Sequence, residues 1–329
     1  TLLQIFKLCG QIVAPGVAYI AEAIVAPEEI VKYFGEGWAQ GDECDIAYNA
    51  TFMALTWEAI ASQNTDLLRK SMYSVPQKPM NTTWINYARC HDDIGLGFDD
   101  NLIRELGKDP LQHRLYMLSY YCDEHHTWGR GKRFMQEPNG NARLSGAMAS
   151  LCGLEKAMEL NNEHEIQLAV KRINMQHGII LSLGGIPMIY SGDEIALTNF
   201  YEYTHEEDKK HDNRWLHRPL MKWEIAEHLD QYPIQRSVFD NLQHMITVRK
   251  NNAVFADRND LRFIESGNSH LLVYEKRADD GKVVWGIANF SHYDTVFPGW
   301  FIGMGRPVQN LLTQEKFIVQ EQNFIGAYD

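Results

Sequence analysis

Three acidic clusters in this chain share one context. Glu22 follows the apolar run 17–20, His91-Asp92-Asp93 follows 84–90, and Asp193-Glu194 follows 186–190. Short apolar runs of this kind are consistent with buried parallel strands. In parallel α/β folds, functional groups collect where strands end on their C-terminal side. Carboxylates at such ends suit the cleavage of a glycosidic bond. One acid protonates the leaving oxygen, and further carboxylates stabilise an oxocarbenium-like transition state. Taken alone, each acid reads first as a cap on the helix after its strand.

Other side chains compete for attention. His125-His126 and the loop residues His205, His211 and His217 could suggest a metal site. The loop histidines recur every six residues, which is not ligand spacing on a helix, so they read as solvated loop residues and no metal is expected. Trp128, Trp215 and Trp300 could be sugar-stacking platforms or ordinary packing. Gly184-Gly185 and Gly129-x-Gly131 lack the Lys-Ser/Thr of a phosphate loop and read as turns. No cofactor is expected.

The elements that must position these groups follow from periodicity. Apolar runs at 17–20, 45–48, 82–90 and 186–190 alternate with helical patterns at 27–33, 50–69, 162–180 and 238–249. Asn162-x-x-Glu165 has the form of a capping box. From about 258 the period changes to two, with Asp280-Gly281 as a hairpin turn. The expectation is an α/β unit over residues 1–252, with an insertion at about 96–160, and a small antiparallel β domain over 253–329. The chain opens without Met, inside an amphipathic helical pattern built on Leu2, Leu3, Ile5, Phe6, Leu8 and Ile12. It reads as a piece of a longer protein, without the features of a signal peptide.

Composition narrows the function. The 329 residues are 45% hydrophobic and 22% charged, as in an ordinary globular protein. With 31 Lys+Arg against 43 Asp+Glu the formal charge is −12, which repels phosphate backbones, so no nucleic-acid partner is expected. No run reaches the ~18 apolar residues of a membrane span. The five cysteines are far apart and odd in number, which predicts free thiols and a cytoplasmic location.

Five segments carry a resemblance. Ala21-Glu22-Ala23-Ile24-Val25 with Pro27, Asp42-Glu43-Cys44-Asp45-Ile46-Ala47-Tyr48-Asn49, Arg89-Cys90-His91-Asp92-Asp93-Ile94-Gly95, the run from Gly185 to Glu194, and Asp212-Asn213-Arg214-Trp215-Leu216-His217-Arg218-Pro219 resemble, in order, the motifs of strands five to eight and the following loop of the α-amylase family of glycoside hydrolases. The likeness is strongest to the amylosucrase and sucrose hydrolase branch. It implies the C-terminal half of a (β/α)8 TIM barrel followed by a small antiparallel β-sandwich domain. It implies Glu22 as general acid/base, Asp92 as transition-state stabiliser, and His91 as its partner in gripping the glucose. Asp93 and Arg214 match a charged pair closing the floor of the glucose pocket, and Arg143 matches a substrate-contacting arginine. Asp193 and Glu194 match no family catalyst and keep a structural reading. Leu96 stands where the branch has Trp, and Cys90 where it has Ser, so the choice among sucrose, maltooligosaccharides and related α-glucosides stays open.

The family's nucleophile, an Asp in an Arg-x-Asp motif some forty residues before the acid/base, has no counterpart among the 21 residues preceding Glu22. The implied enzyme is a retaining α-glucoside hydrolase or transglucosylase acting on sucrose or short α-glucans. This chain alone is expected to be inactive. Half a barrel has open edges, so the expected partner, besides an α-glucoside, is the missing N-terminal half or a second copy. The alternative is a non-catalytic carbohydrate-binding or scaffolding homologue.

Overall fold

Local signals place most elements where the sequence puts them, and long-range contacts move the rest. The computed structural model describes all residues except Thr1, Ile24, Ala26, Pro76, His125, His126, Arg258 and Asn259. The expectation for His125 and His126 therefore lies outside the described residues.

The chain opens with α1 (Leu2–Val13), then β1 (Ile20–Ala21) and α2 (Pro27–Ile30). Helix α1 is amphipathic, but it is turned with its apolar side outward: Leu8 and Ile12 are exposed, while Lys7 is buried and meets Asp45 at 2.8 Å. β2 (Ile46–Tyr48) leads into α3 (Ala50–Ser62), which is buried on nearly every side. One helix was expected to run on to about residue 69. Instead Gln63 takes a left-handed conformation at φ 52° and α4 (Asp66–Ser74) starts afresh. The break is tertiary in origin, because the Thr65 amide and hydroxyl both donate to the Ser269 carbonyl more than two hundred residues away.

β3 (Thr83–Tyr87) precedes the insertion, which holds α5 (Asp100–Glu105), α6 (Pro110–Tyr121), the antiparallel pair β4 (Lys132–Phe134) and β5 (Arg143–Ser145), α7 (Met148–Leu151) and α8 (Leu154–Glu159). The long α9 (Glu163–Ser182) is capped by Asn162, whose side chain accepts from the Glu165 amide at 3.1 Å. β6 (Ile186–Met188) follows the Gly184-Gly185 turn, where both glycines have positive φ and a Cβ on Gly185 would meet the Trp84 carbonyl at 2.5 Å. A loop with α10 (Trp223–Ala226) returns to α11 (Pro233–Asn251).

β1, β2, β3 and β6 lie side by side in chain order, every pair parallel. Their C-terminal ends thus point one way, carrying Glu22, Asn49 and the 88–93 segment to a common face. The main core packs α3 and α9 against this sheet and reaches Leu272, Tyr274, Ala288 and Phe290 of the C-terminal region. That region holds the antiparallel sheet β7 (Asp260–Ile264), β8 (Leu271–Arg277) and β9 (Val283–Asn289), followed by β10 (Thr295–Pro298), β11 (Pro307–Gln309), β12 (Lys316–Ile318) and β13 (Gln322–Ile325). β10 pairs with β13 and β11 with β12, and a second small core joins Ile264, Val273, Phe297 and Ile325. Among the described residues no helix is long and apolar enough to cross a membrane.

Candidate active site

Glu22 is the residue after β1, and His91 lies four residues past the end of β3. Parallel alignment brings them together: Glu22 Oε1 and His91 Nε2 are 3.5 Å apart, both half-exposed. Tyr48, at the end of β2, stands edge-on to Tyr87 with ring centres 5.3 Å apart. Burial, and then the Glu22 charge, push the Tyr48 hydroxyl above its ordinary range.

Asp92 faces the loop after β6. Its Oδ1 takes Arg214 Nη1 at 2.8 Å and lies 3.5 Å from Arg218 Nη2. Arg214 also chelates Asp212, which caps the same turn and whose carboxyl it holds below the usual range. One donor atom from each of Glu22, His91 and Asp92 falls within a 4.8 Å cluster, a spacing that could hold a cation. The two guanidinium groups on Asp92 oppose one electrostatically.

Asp93 points elsewhere. The expected Asp93–Arg214 pair does not form. Ile94 exchanges backbone hydrogen bonds with Leu144 at 2.8 and 2.9 Å, which lays the segment along β5 and sets Asp93 beside Arg143, with Nη1 to Oδ2 at 3.3 Å. Asp92 thus meets Arg214 while Asp93 meets Arg143. Asp93 is buried, and burial pushes its carboxyl above the usual range, with Arg143 working against that. Arg143 is half-exposed beside a cavity of about 210 Å³ lined by Gly95, Leu96, Gly97, Met135 and Asn141. Cys90 and Leu96 are both buried.

Behind the strand ends, the fully buried Arg89 pairs with Asp193 at 2.8 and 2.9 Å and donates to the His217 carbonyl at 3.0 Å. Asp193 therefore has the structural role expected of it, and Glu194 accepts from the Gly192 amide. His205 and His211 are exposed as expected, but His217 is buried. Its Nε2 lies 3.2 Å from the His91 carbonyl, to which Arg218 Nε also donates at 2.7 Å. Reading the loop histidines as solvated missed His217; its sole sequence signal is a place in the Asp212–Pro219 motif beside Arg214. Trp215 carries Lys209 and Arg218 over its ring, Trp128 carries Lys156, and Trp300 is exposed against Phe301.

The geometry thus gathers Glu22, His91, Asp92 and Arg214 into one cluster, with Asp93 and Arg143 flanking it. No protein-family model matches the chain. A glucosylglycerate phosphorylase of Escherichia coli (strain K12) is 27% identical over 281 residues, covering 85% of this chain and 46% of that protein. A trehalose synthase/amylase of Mycobacterium tuberculosis is 22% identical over 303 residues, covering 85% and 44%. The comparisons support the α-amylase family. Among solved structures, a sucrose 6F-phosphate phosphorylase from Thermoanaerobacter thermosaccharolyticum matches with a TM-score of 0.60 at 16% identity, over 97% of this chain and 55% of that one. An Anoxybacillus α-amylase matches with a TM-score of 0.57 at 11% identity, over 100% and 54%. These likenesses show the α-amylase-family fold, and the chain spans about half the length of the relatives it matches.

Proposed function

We propose that this chain supplies the acid/base side of a retaining, α-glucoside-acting enzyme of the α-amylase family, of the amylosucrase-like branch. The observation that carries the reading is the convergence of Glu22, His91 and the arginine-bound Asp92 at the ends of two non-adjacent parallel strands. In this reading Glu22 gives its proton to the leaving glycosidic oxygen and later takes one from water or an acceptor hydroxyl. His91 and Asp92 grip the reacting glucose, and Asp92 stabilises the positive charge growing on the ring. Asp92 is poorly suited to be the nucleophile, because Arg214 and Arg218 already draw on its Oδ1. The nucleophilic carboxylate then belongs to a segment outside this chain, the N-terminal half of a (β/α)8 barrel, and the chain alone does not turn over substrate. That β1 and β6 each have a single sheet partner among the described residues supports the half-barrel, and the small second core supports the β-sandwich domain. Sucrose or a short α-glucan is the substrate. Five free thiols suit a cytoplasmic setting.

The test uses the full-length protein carrying this segment. Sucrose and maltose turnover is measured for it and for Glu22→Gln. Loss of an acid/base group lowers kcat on the order of 10²- to 10⁴-fold. Undiminished turnover in the variant rejects the assigned role. Sugar binding by calorimetry without any turnover in the parent favours a carbohydrate-binding scaffold instead.

A further inference from the structure

The loop that delivers Arg214 to Asp92 also holds the backbone beneath His91. Two donors converge on the His91 carbonyl, His217 Nε2 at 3.2 Å and Arg218 Nε at 2.7 Å. His217 is fixed from behind. The Gly146 amide donates to its Nδ1 at 3.3 Å, so the ring hydrogen sits on Nε2, facing His91. Its own carbonyl takes Arg89 Nη1 at 3.0 Å, and Arg89 is anchored by Asp193. The Phe200 amide donates to the neighbouring Leu216 carbonyl at 2.7 Å. His217 thereby ties together the end of β3, the end of β5 and the return loop, and its side chain is buried.

We propose that His217 is a positioning residue: its Nε2–H, donated to the His91 carbonyl, sets the peptide between His91 and Asp92 and so aims both side chains at the sugar. The proposal rests on the acid/base reading of Glu22 given above. The side-chain hydrogen bonds of His217 go to backbone groups of Gly146 and His91, so its effect passes through the backbone it holds. Displacing a catalytic group by about 1 Å can cost on the order of 10²-fold in rate, and a strand-end peptide losing one of two donors has room for part of such a shift.

Two conservative variants of the full-length protein separate the possibilities. His217→Gln keeps an N–H at about the reach of Nε2, whereas His217→Asn ends one atom short of it while still offering Gly146 an acceptor. Sucrose turnover is measured per active site, with thermal unfolding alongside. The expected result is kcat near the parent value for His217→Gln and a fall on the order of 10- to 100-fold for His217→Asn. KM rises as well to the extent that the grip of His91 and Asp92 on the glucose loosens, so the effect is read in kcat per active site. Equal kcat per active site in the two variants overturns the proposal, whether both match the parent or both fall alike. A lowered Tm with unchanged kcat per active site overturns it too, as that is a purely structural role. Glu22→Gln run in parallel keeps the two readings apart. If it retains activity, the acid/base assignment has failed. If it is dead while His217→Asn is unaffected, only the positioning role has failed.

Discussion

Arg89 brings a full positive charge into the core, and its neighbours are shaped by it. Burial raises the Asp193 carboxyl to about 6, with Arg89 pulling the other way. Burial, and then the same guanidinium, push His177 down to about 4 and His217 down to about 3. Both imidazoles are therefore neutral at pH 7. For His177, on α9 and fully enclosed, this has a thermodynamic consequence. A histidine whose folded pKa lies below its unfolded value stabilises the fold above about pH 6.5, and that stability is lost as pH falls toward 4. At 1.36 kcal/mol per unit, the loss is about 3 kcal/mol across that window. His177→Gln cannot take up the proton, so its unfolding free energy should fall by about 3 kcal/mol less than the parent's between pH 7 and pH 4. Urea melts at a series of pH values check this. Parallel acid limbs in the two proteins would refute it.

At the scale of elements, the cap on α9 is the plainest case of sequence dictating structure. Asn162 accepts from the Glu165 amide, while the Glu165 side chain turns away to Arg172 at 3.4 Å, so half of the capping box is realised. Asn162→Ala should cost about 1 kcal/mol in urea unfolding and Asn162→Asp almost nothing. Equal losses would mean that packing alone sets where the helix starts. Short apolar runs likewise foretold β2, β3 and β6, and the switch to period two foretold β7 to β9, because side-chain spacing is a local property. The run 17–20 is instead exposed at Val17, Ala18 and Ile20, and β1 is confined to Ile20–Ala21. Long-range partners were not legible. Gln63 breaks a continuous helical pattern because Thr65 must reach Ser269. Asp93 abandons Arg214 because Ile94 pairs with Leu144. His217 looked like a solvated loop residue because nothing in its spacing announces Gly146 or His91 as neighbours. The cluster of Glu22, His91 and Asp92 was legible through motif resemblance; the second row of side chains that holds it was not.

Across the whole molecule, the unusual surface is on the β1 side of the sheet. Leu2, Ile5, Phe6, Leu8 and Ile12 of α1 are each more than half exposed, and Ile20 of β1 is 52% exposed on a strand with one parallel neighbour among the described residues. An apolar helix face and a strand that is unpaired on one side among the described residues are surfaces that invite association. The formal charge of −12 opposes association of copies at low ionic strength, and salt screens that repulsion. The isolated chain should therefore self-associate more strongly as salt rises, the opposite of what an assembly held by ion pairs would do. Leu8→Lys with Ile12→Lys separates the apolar face from the general charge. The pair of substitutions lowers the net negative charge and so weakens the overall repulsion, yet it places two ammonium groups in the proposed contact. Sedimentation velocity at 0.5 M salt should show the double variant shifted toward monomer relative to the parent at equal loading. If it associates as much as the parent or more, the apolar face of α1 is not the contact, and the strand edge or another surface carries the association.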